Sequence, residues 1–547
     1  MSLFDDLKWA LRRWFWNRIA AKKYSKTVPR PVDRVGATQV GLRATPAREI
    51  GLYRALSLRT VAVADRVPAD EAQGSNERMM SLLAGLARTR LSPMQAGRPS
   101  IPADGAEALT AAYAPAHRRA VTRRAETAGR HPKTLLRPPV LPSELTPPPD
   151  LATLAVQGPY AGYLERDPTH EGRYRWDLSA LMHYAWDPAL HPPCAIVTFE
   201  VTPTTGKLVV IGIAHGDATV TPADSSWPRA VRIALCAATV HTALVRHWTW
   251  VHMVGGEYLA LAVRNHLPAD HPLCRFLWPH VVGTHASNRL AALGQLVPGG
   301  DFEALYGLPS DEVCRVVDDG VKTFDLVAFD PMADAARRGV ASAPFAMPTL
   351  KNCASLYDLF HRHATRYLAA CYAGDAGPAA DAPVSNWYGA LLDLFNVKSH
   401  HRPSLTRPVL ATLLARLLYM VTVYHEQVGS QLWNYQLWSH VHPIRVYRDG
   451  RRMPEDIYQR LVNANFILNV ERAPLIQDFS RLAEGVTPAE VRPTLRNAFA
   501  AFREDLERVQ AEMERMAATP AGMRDRLPQP WAPWKIYPSD LKANINA

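Results

Sequence analysis

Downstream of Pro228 one long helical segment follows another, and this succession limits the chain to a body of packed helices. Good helix formers with periodic apolar residues fill Ala230 to Val263, Ser355 to Tyr372, Trp387 to Phe395, Leu405 to His425 and Pro488 to Met516. Strong strand signal is confined to one place upstream. There the β-branched runs Cys194-Ala195-Ile196-Val197-Thr198-Phe199-Glu200-Val201 and Lys207-Leu208-Val209-Val210-Ile211-Gly212-Ile213 flank a short turn containing Pro203 and Gly206, the pattern of a hairpin. No internal repeat is evident, which sets aside the solenoids. The expected fold is mainly α, a large helical body with a small β-sheet subregion.

The 547 residues are 48% apolar and 21% charged, so the chain has material for a core and is neither disordered nor fibrous. Lysine plus arginine (62) exceeds aspartate plus glutamate (51) by 11. Spread over this length the excess is a mild field, and no nucleic-acid partner is expected. Much of it is local: residues 1–30 hold Lys8, Arg12, Arg13, Arg18, Lys22, Lys23, Lys26 and Arg30 against Asp5 and Asp6. The same segment carries Trp9, Trp14 and Trp16. It reads either as a helix lying in a membrane interface or as one docked on the protein's own surface. Peripheral membrane contact through residues 1–26 is the first of these readings.

The six cysteines form no CxxC pair, which argues against a zinc ribbon or disulfide framework and for a reducing interior. No uninterrupted apolar stretch of about 18 residues and no secretory signal is found, so a cytoplasmic location is expected. Prolines 132, 138, 139, 142, 147, 148 and 149 forbid a regular helix between His131 and Asp150. A boundary is placed there. Residues 1–150 form an N-terminal helical and extended segment with a Pro-rich connector, and residues 151–547 the second domain.

His241, His247 and His252 fall in one helical segment, and neutral imidazole is the commonest ligand for zinc, iron and copper. Spacing complicates a metal reading. In an α-helix the five residues from His247 to His252 leave the two about 140° apart, whereas a π-bulge of about 4.4 residues per turn brings them much closer. His425 ends the apolar run Leu413 to Tyr424; an imidazole buried there needs a partner, whether as a core histidine or as a ligand. His440 and His442 read as loop residues outside the candidate set.

Several separated stretches together resemble the lipoxygenase catalytic domain, in a divergent bacterial-type form, from about residue 150 to the last. They begin with Gly158-Pro159-Tyr160, Tyr174-Arg175-Trp176-Asp177-Leu178, Gly206-Lys207-Leu208 and Trp227. The best block is His266-Leu267-Pro268-Ala269-Asp270-His271-Pro272-Leu273-Cys274-Arg275-Phe276-Leu277-Trp278-Pro279-His280, similar to the family's HL…HPxxxLLxPH signature. Ala336-Arg337-Arg338-Gly339-Val340, Tyr367-Leu368-Ala369-Ala370-Cys371-Tyr372 with Trp387-Tyr388, Trp534-Lys535-Ile536-Tyr537-Pro538-Ser539, and Ala543-Asn544-Ile545-Asn546-Ala547 complete the series. The family's lipid-binding PLAT β-sandwich is not visible in residues 1–150.

The resemblance implies a non-haem iron (Fe2+/Fe3+) dioxygenase. It would take hydrogen from a doubly allylic carbon of a polyunsaturated fatty acid or acyl lipid and add O2. It implies a ligand set of two histidines from one π-bulged helix, a third from a later helix, an amide or imidazole near it, and the terminal carboxylate, here that of Ala547. His425 matches the third histidine. By its distance from Trp227, His247 matches the second helix ligand, with Thr242 at the first ligand's position and His241 one residue early. Either His241 and His247 form the pair, or His247 and His252, which have the family's five-residue separation, have taken the role. Four residues after His425 the amide or imidazole is replaced by Gly429, with Gln431 and Asn434 nearby. Just after Asn288, where the family has alanine or glycine, stands Arg289: either the match slips locally or Arg289 anchors a substrate carboxylate. These departures also admit an inactive lipoxygenase-fold protein acting as a lipid-binding or interaction module.

Overall fold

A computed structural model describes residues 35–50, 56–71, 145, 149–433, 435–454, 456–458, 460–461, 464, 475–518 and 536–545. The tryptophan-rich segment 1–26, most of the Pro-rich connector, Ala547, and the stretches Asn76 to Arg90 and Gly105 to Ala128, for which the sequence predicts helix, lie outside these residues.

Two antiparallel sheets precede the long helices, with a short helix, Leu151–Val156, between them. A short ribbon pairs β1 (Ala44–Pro46) with β2 (Ala62–Ala64). The larger sheet is a five-stranded meander of β3 (Glu165–Arg166), β4 (Arg173–Asp177), β5 (Ile196–Val201), β6 (Leu208–His215) and β7 (Ala218–Val220), paired in chain order. The expected hairpin is β5–β6, turned through Gly206 at φ +63, a left-handed conformation that glycine adopts without steric cost. Alternation along β4 and β5 puts Tyr174, Trp176, Val197 and Phe199 inside, with the Trp176 and Phe199 rings edge to face at 5.5 Å.

The helical body starts with a single rod, 227–266, in three parts: α1 (Trp227–His241), a π-helical segment π1 (Thr242–Gly256) and α2 (Glu257–His266). Then come α3 (Pro272–Val281), α4 (Thr284–Gln295), α5 (Ser310–Lys322), α6 (Pro348–Cys371) and α7 (Ala382–Leu394). A second continuous rod joins α8 (Arg407–Tyr419), a shorter π segment π2 (Met420–Tyr424) and α9 (His425–Trp433), and α10 (Arg492–Ala518) follows. Thr406 caps α8 by accepting from the Val409 amide at 3.4 Å. The 407–429 stretch is long and apolar enough to cross a membrane by length and composition, yet 78% of its most apolar window is buried inside the protein.

Both π segments lie in the hydrophobic core. π1 packs on α5 and α9, and α8 packs on α6, which in turn carries α10. The described part of the first 150 residues joins the same core through Ala47, Leu58, Val61 and Val63. It is pinned to α2 by Arg264, which is fully buried and bonds Glu71 at 2.6 Å and Asp70 at 2.9 Å.

Candidate functional site

A 15-residue π segment is unusual, because i to i+5 bonding is rare and mostly confined to single turns at functional sites; neighbours must hold it. Thr249 Oγ1 donates to the Leu244 carbonyl five residues back at 2.7 Å. Trp250 Nε1 donates to Gly320 O on α5 at 3.0 Å. At the far end, a Cβ on Gly255 would overlap Met420 of π2, and one on Gly256 would overlap Ile545 of the C-terminal tail. Glycine lets Met420 and Ile545 pack closely there.

The widened turn decides which histidines meet. At about 4.4 residues per turn, five residues advance slightly more than one full turn and leave His247 and His252 about 50° apart. Their Nε2 atoms lie 3.4 Å from each other. His425, the residue following π2, places its Nε2 3.2 Å from that of His252. All three ligand atoms fall within 4.8 Å of one another, and all three residues are buried.

His241 does not join them. Six residues before His247, it projects about 130° away at the π pitch, and its Nδ1 meets the Tyr163 hydroxyl at 2.8 Å. Burial, aided by Arg246, pushes it down to about 3, so it stays a neutral imidazole. Tyr163 also bonds Thr242 Oγ1 at 2.9 Å. The pair that shares the site with His425 is therefore His247 and His252.

Hydrogen bonds behind the rings assign their tautomers. His252 Nδ1 donates to Asn288 Oδ1 at 3.1 Å, while Asn288 Nδ2 donates to the His252 carbonyl at 2.8 Å and to Glu257 Oε2 at 3.0 Å. Glu257 Oε1 also accepts from the Ala64 amide at 3.0 Å and from His285 Nδ1 at 2.9 Å. Burial opposes the charge on both members of this pair. The mutual contact outweighs it, raising His285 and lowering Glu257, which is helped further by the Ala64 and Asn288 donors. On the other side, His425 Nδ1 donates to Glu426 Oε1 at 3.1 Å. With both Nδ1 atoms carrying the ring proton, His252 and His425 turn lone pairs toward each other across 3.2 Å. A cation relieves that repulsion; imidazole nitrogens with backing acceptors are what a borderline-soft divalent metal takes.

The tail approaches the same place. Leu475 N donates to Leu541 O at 2.9 Å, His280 Nδ1 to Ala543 O at 2.6 Å, and Asn544 Nδ2 to Pro279 O at 3.1 Å. Ile545 is fully buried against Gly256. His271 caps α3 by accepting from the Leu273 amide at 3.0 Å. Two histidines of the 266–280 block thus serve the fold, His271 by capping α3 and His280 by docking the tail.

Gly429 lies buried in α9 and brings no side-chain donor. The Gln431 side chain, Asn434 and Ala547 lie outside the described residues. Arg289 is half-buried on α4 beside Asn288, with no ion pair among the described residues. Sequence reading passed over Glu257, His285 and Glu426, although a lone carboxylate within or just after an apolar helical run is a usable signal. His442 lies in a loop and outside the cluster, as expected, yet is fully buried, stacked on Tyr160 and 2.7 Å from its hydroxyl.

No family model matches the sequence, and no curated protein does. Solved structures do. A coral 8R-lipoxygenase is 14% identical, covering 92% of this chain and 83% of its own, with a TM-score of 0.67. A calcium-dependent 11R-lipoxygenase is 14% identical, covering 96% and 80%, also at 0.67. A lipoxygenase variant solved anaerobically with arachidonate is 14% identical, covering 90% and 78%, again at 0.67. The chain has the fold of a lipoxygenase catalytic domain.

Proposed function

We propose that this chain is a non-haem iron dioxygenase of the lipoxygenase type, acting on a polyunsaturated acyl chain with O2 to give a hydroperoxide. The observation that carries the reading is the meeting of three buried Nε2 atoms from two π-bearing rods, two of them with Nδ1 committed to acceptors. His247, His252 and His425 would hold the iron. Bound iron supplies one-electron chemistry, which suits removal of a hydrogen from a doubly allylic carbon. The carboxylate of Ala547 would complete the set: Ile545 is already packed against π1, and two further residues span up to about 7 Å.

This chain's residues act by positioning. Asn288 and Glu426 fix the two tautomers that leave Nε2 available, and Trp248 stacks on His252 at 5.6 Å, shielding its face from water. Arg289 would take the carboxylate of a free fatty acid, the substrate class supported by the arachidonate complex of one structural neighbour. Peripheral membrane contact through residues 1–26 and a cytoplasmic location belong to the same proposal and rest on the sequence.

Gly429 favours one second reading, an inactive member of the fold that binds lipid. Oxygen uptake by the iron-loaded chain on a panel of polyunsaturated acids and their esters separates the two. Uptake with formation of a conjugated diene is the expected result; binding of the acids without uptake would leave only the second reading.

A further inference from the structure

We infer that Glu426 is a positioning residue that couples the third histidine to the C-terminal tail and strengthens it as a donor. The inference rests on the metal reading above. Glu426 follows His425 directly, at the start of α9. One carboxylate oxygen accepts from His425 Nδ1 at 3.1 Å, and the other lies 3.0 Å from Lys542 Nζ. The Glu426 and Lys542 side chains are only 11% and 13% exposed, so solvent screens this pair far less than a surface ion pair.

A carboxylate behind an imidazole fixes the ring's tautomer and orientation and makes its other nitrogen more basic toward a metal. The three histidines are backed unequally. His252 has a neutral amide behind it, Asn288, whereas His425 has a full anion. Gly429 contributes no side-chain donor from the same helix, so a stronger His425 acts beside a position that supplies none. Lys542 balances the carboxylate's charge and carries the tail with it. The next three residues are held by His280, Pro279 and Gly256. One side chain therefore sets both the ring and the segment leading to the chain's end.

The competing explanation is that Glu426 only anchors Lys542. Cobalt(II) titration of the full-length, metal-free chain by chelator competition, with the visible bands as a reading of the ligand field, separates them. Glu426→Leu should lose about 10–100-fold in affinity, with shifted bands. Glu426→Gln keeps an acceptor and should lose less while still shifting the bands, and Lys542→Met should lose less than Glu426→Leu. Cobalt binding by Glu426→Leu equal to wild type, or no weaker than Lys542→Met, overturns the inference and leaves the metal reading standing. If Glu426→Leu does not fold, unchanged bands in Glu426→Gln overturn it. A wild-type chain that binds no cobalt removes the metal reading and this inference together.

Discussion

π1 runs for 15 residues and carries two of the clustered histidines, whereas π2 runs for five and delivers the third only as the helix resumes. Their supports differ as much as their lengths. π1 is fixed mainly from within the helical body, by the Trp250–Gly320 bond on one side and by the Asn288, Glu257 and His285 network on the other, and meets the tail only at its far end, where Ile545 packs on Gly256. The histidine after π2 is backed by its own neighbour, Glu426, and through Lys542 by the tail. The difference teaches that the hydrogen bonds behind the His247–His252 pair come from the body, while those behind His425 come jointly from its rod and from a segment more than a hundred residues later.

Breaking the body's side should have the larger effect. Asn288→Leu removes the amide from His252 Nδ1, the His252 carbonyl and Glu257 at once. Each buried group left unsatisfied costs about 1–3 kcal/mol. Urea unfolding should show a loss of that order or more, and cobalt titration a drop of about 10–100-fold. Wild-type values in both measurements would mean that the network does not fix His252.

A smaller effect sharpens the comparison through pH. The raised His285 contributes stability fully below its ordinary value of 6.5, and this is lost as pH rises through the raised value. The lowered Glu257 contributes above its ordinary 4.5, lost as pH falls through the lowered value. In thermal melts across pH, His285→Gln should flatten the alkaline decline while lowering Tm near pH 6. An alkaline slope identical to wild type would contradict the pairing.

The long helices and the β5–β6 hairpin were legible because their periodicity is local. The strands before it were not: β3 has two residues, and β4 reads Arg-Tyr-Arg-Trp-Asp, too short and too charged to stand out before Trp176 packs on Phe199. Candidate histidines were legible as residue types, but the choice among His241, His247 and His252 depended on helical pitch, and π1 sits against elements distant in sequence, Gly320, Met420 and Ile545. The backing residues were hidden by distance, since Asn288 lies 36 positions from His252 and Lys542 lies 116 from Glu426. His442 is the loop residue outside the cluster that its sequence implies, but its burial was not legible, because a loop with polar partners can be as buried as any helix.

The central claim is that one metal ion joins the rod bearing His247 and His252 to the rod bearing His425. Iron content after anaerobic reconstitution with ferrous iron and desalting tests it directly. The account predicts about one iron per wild-type chain and almost none in His252→Ala. An iron-free wild type, or a His252→Ala chain that stays fully loaded, would contradict it.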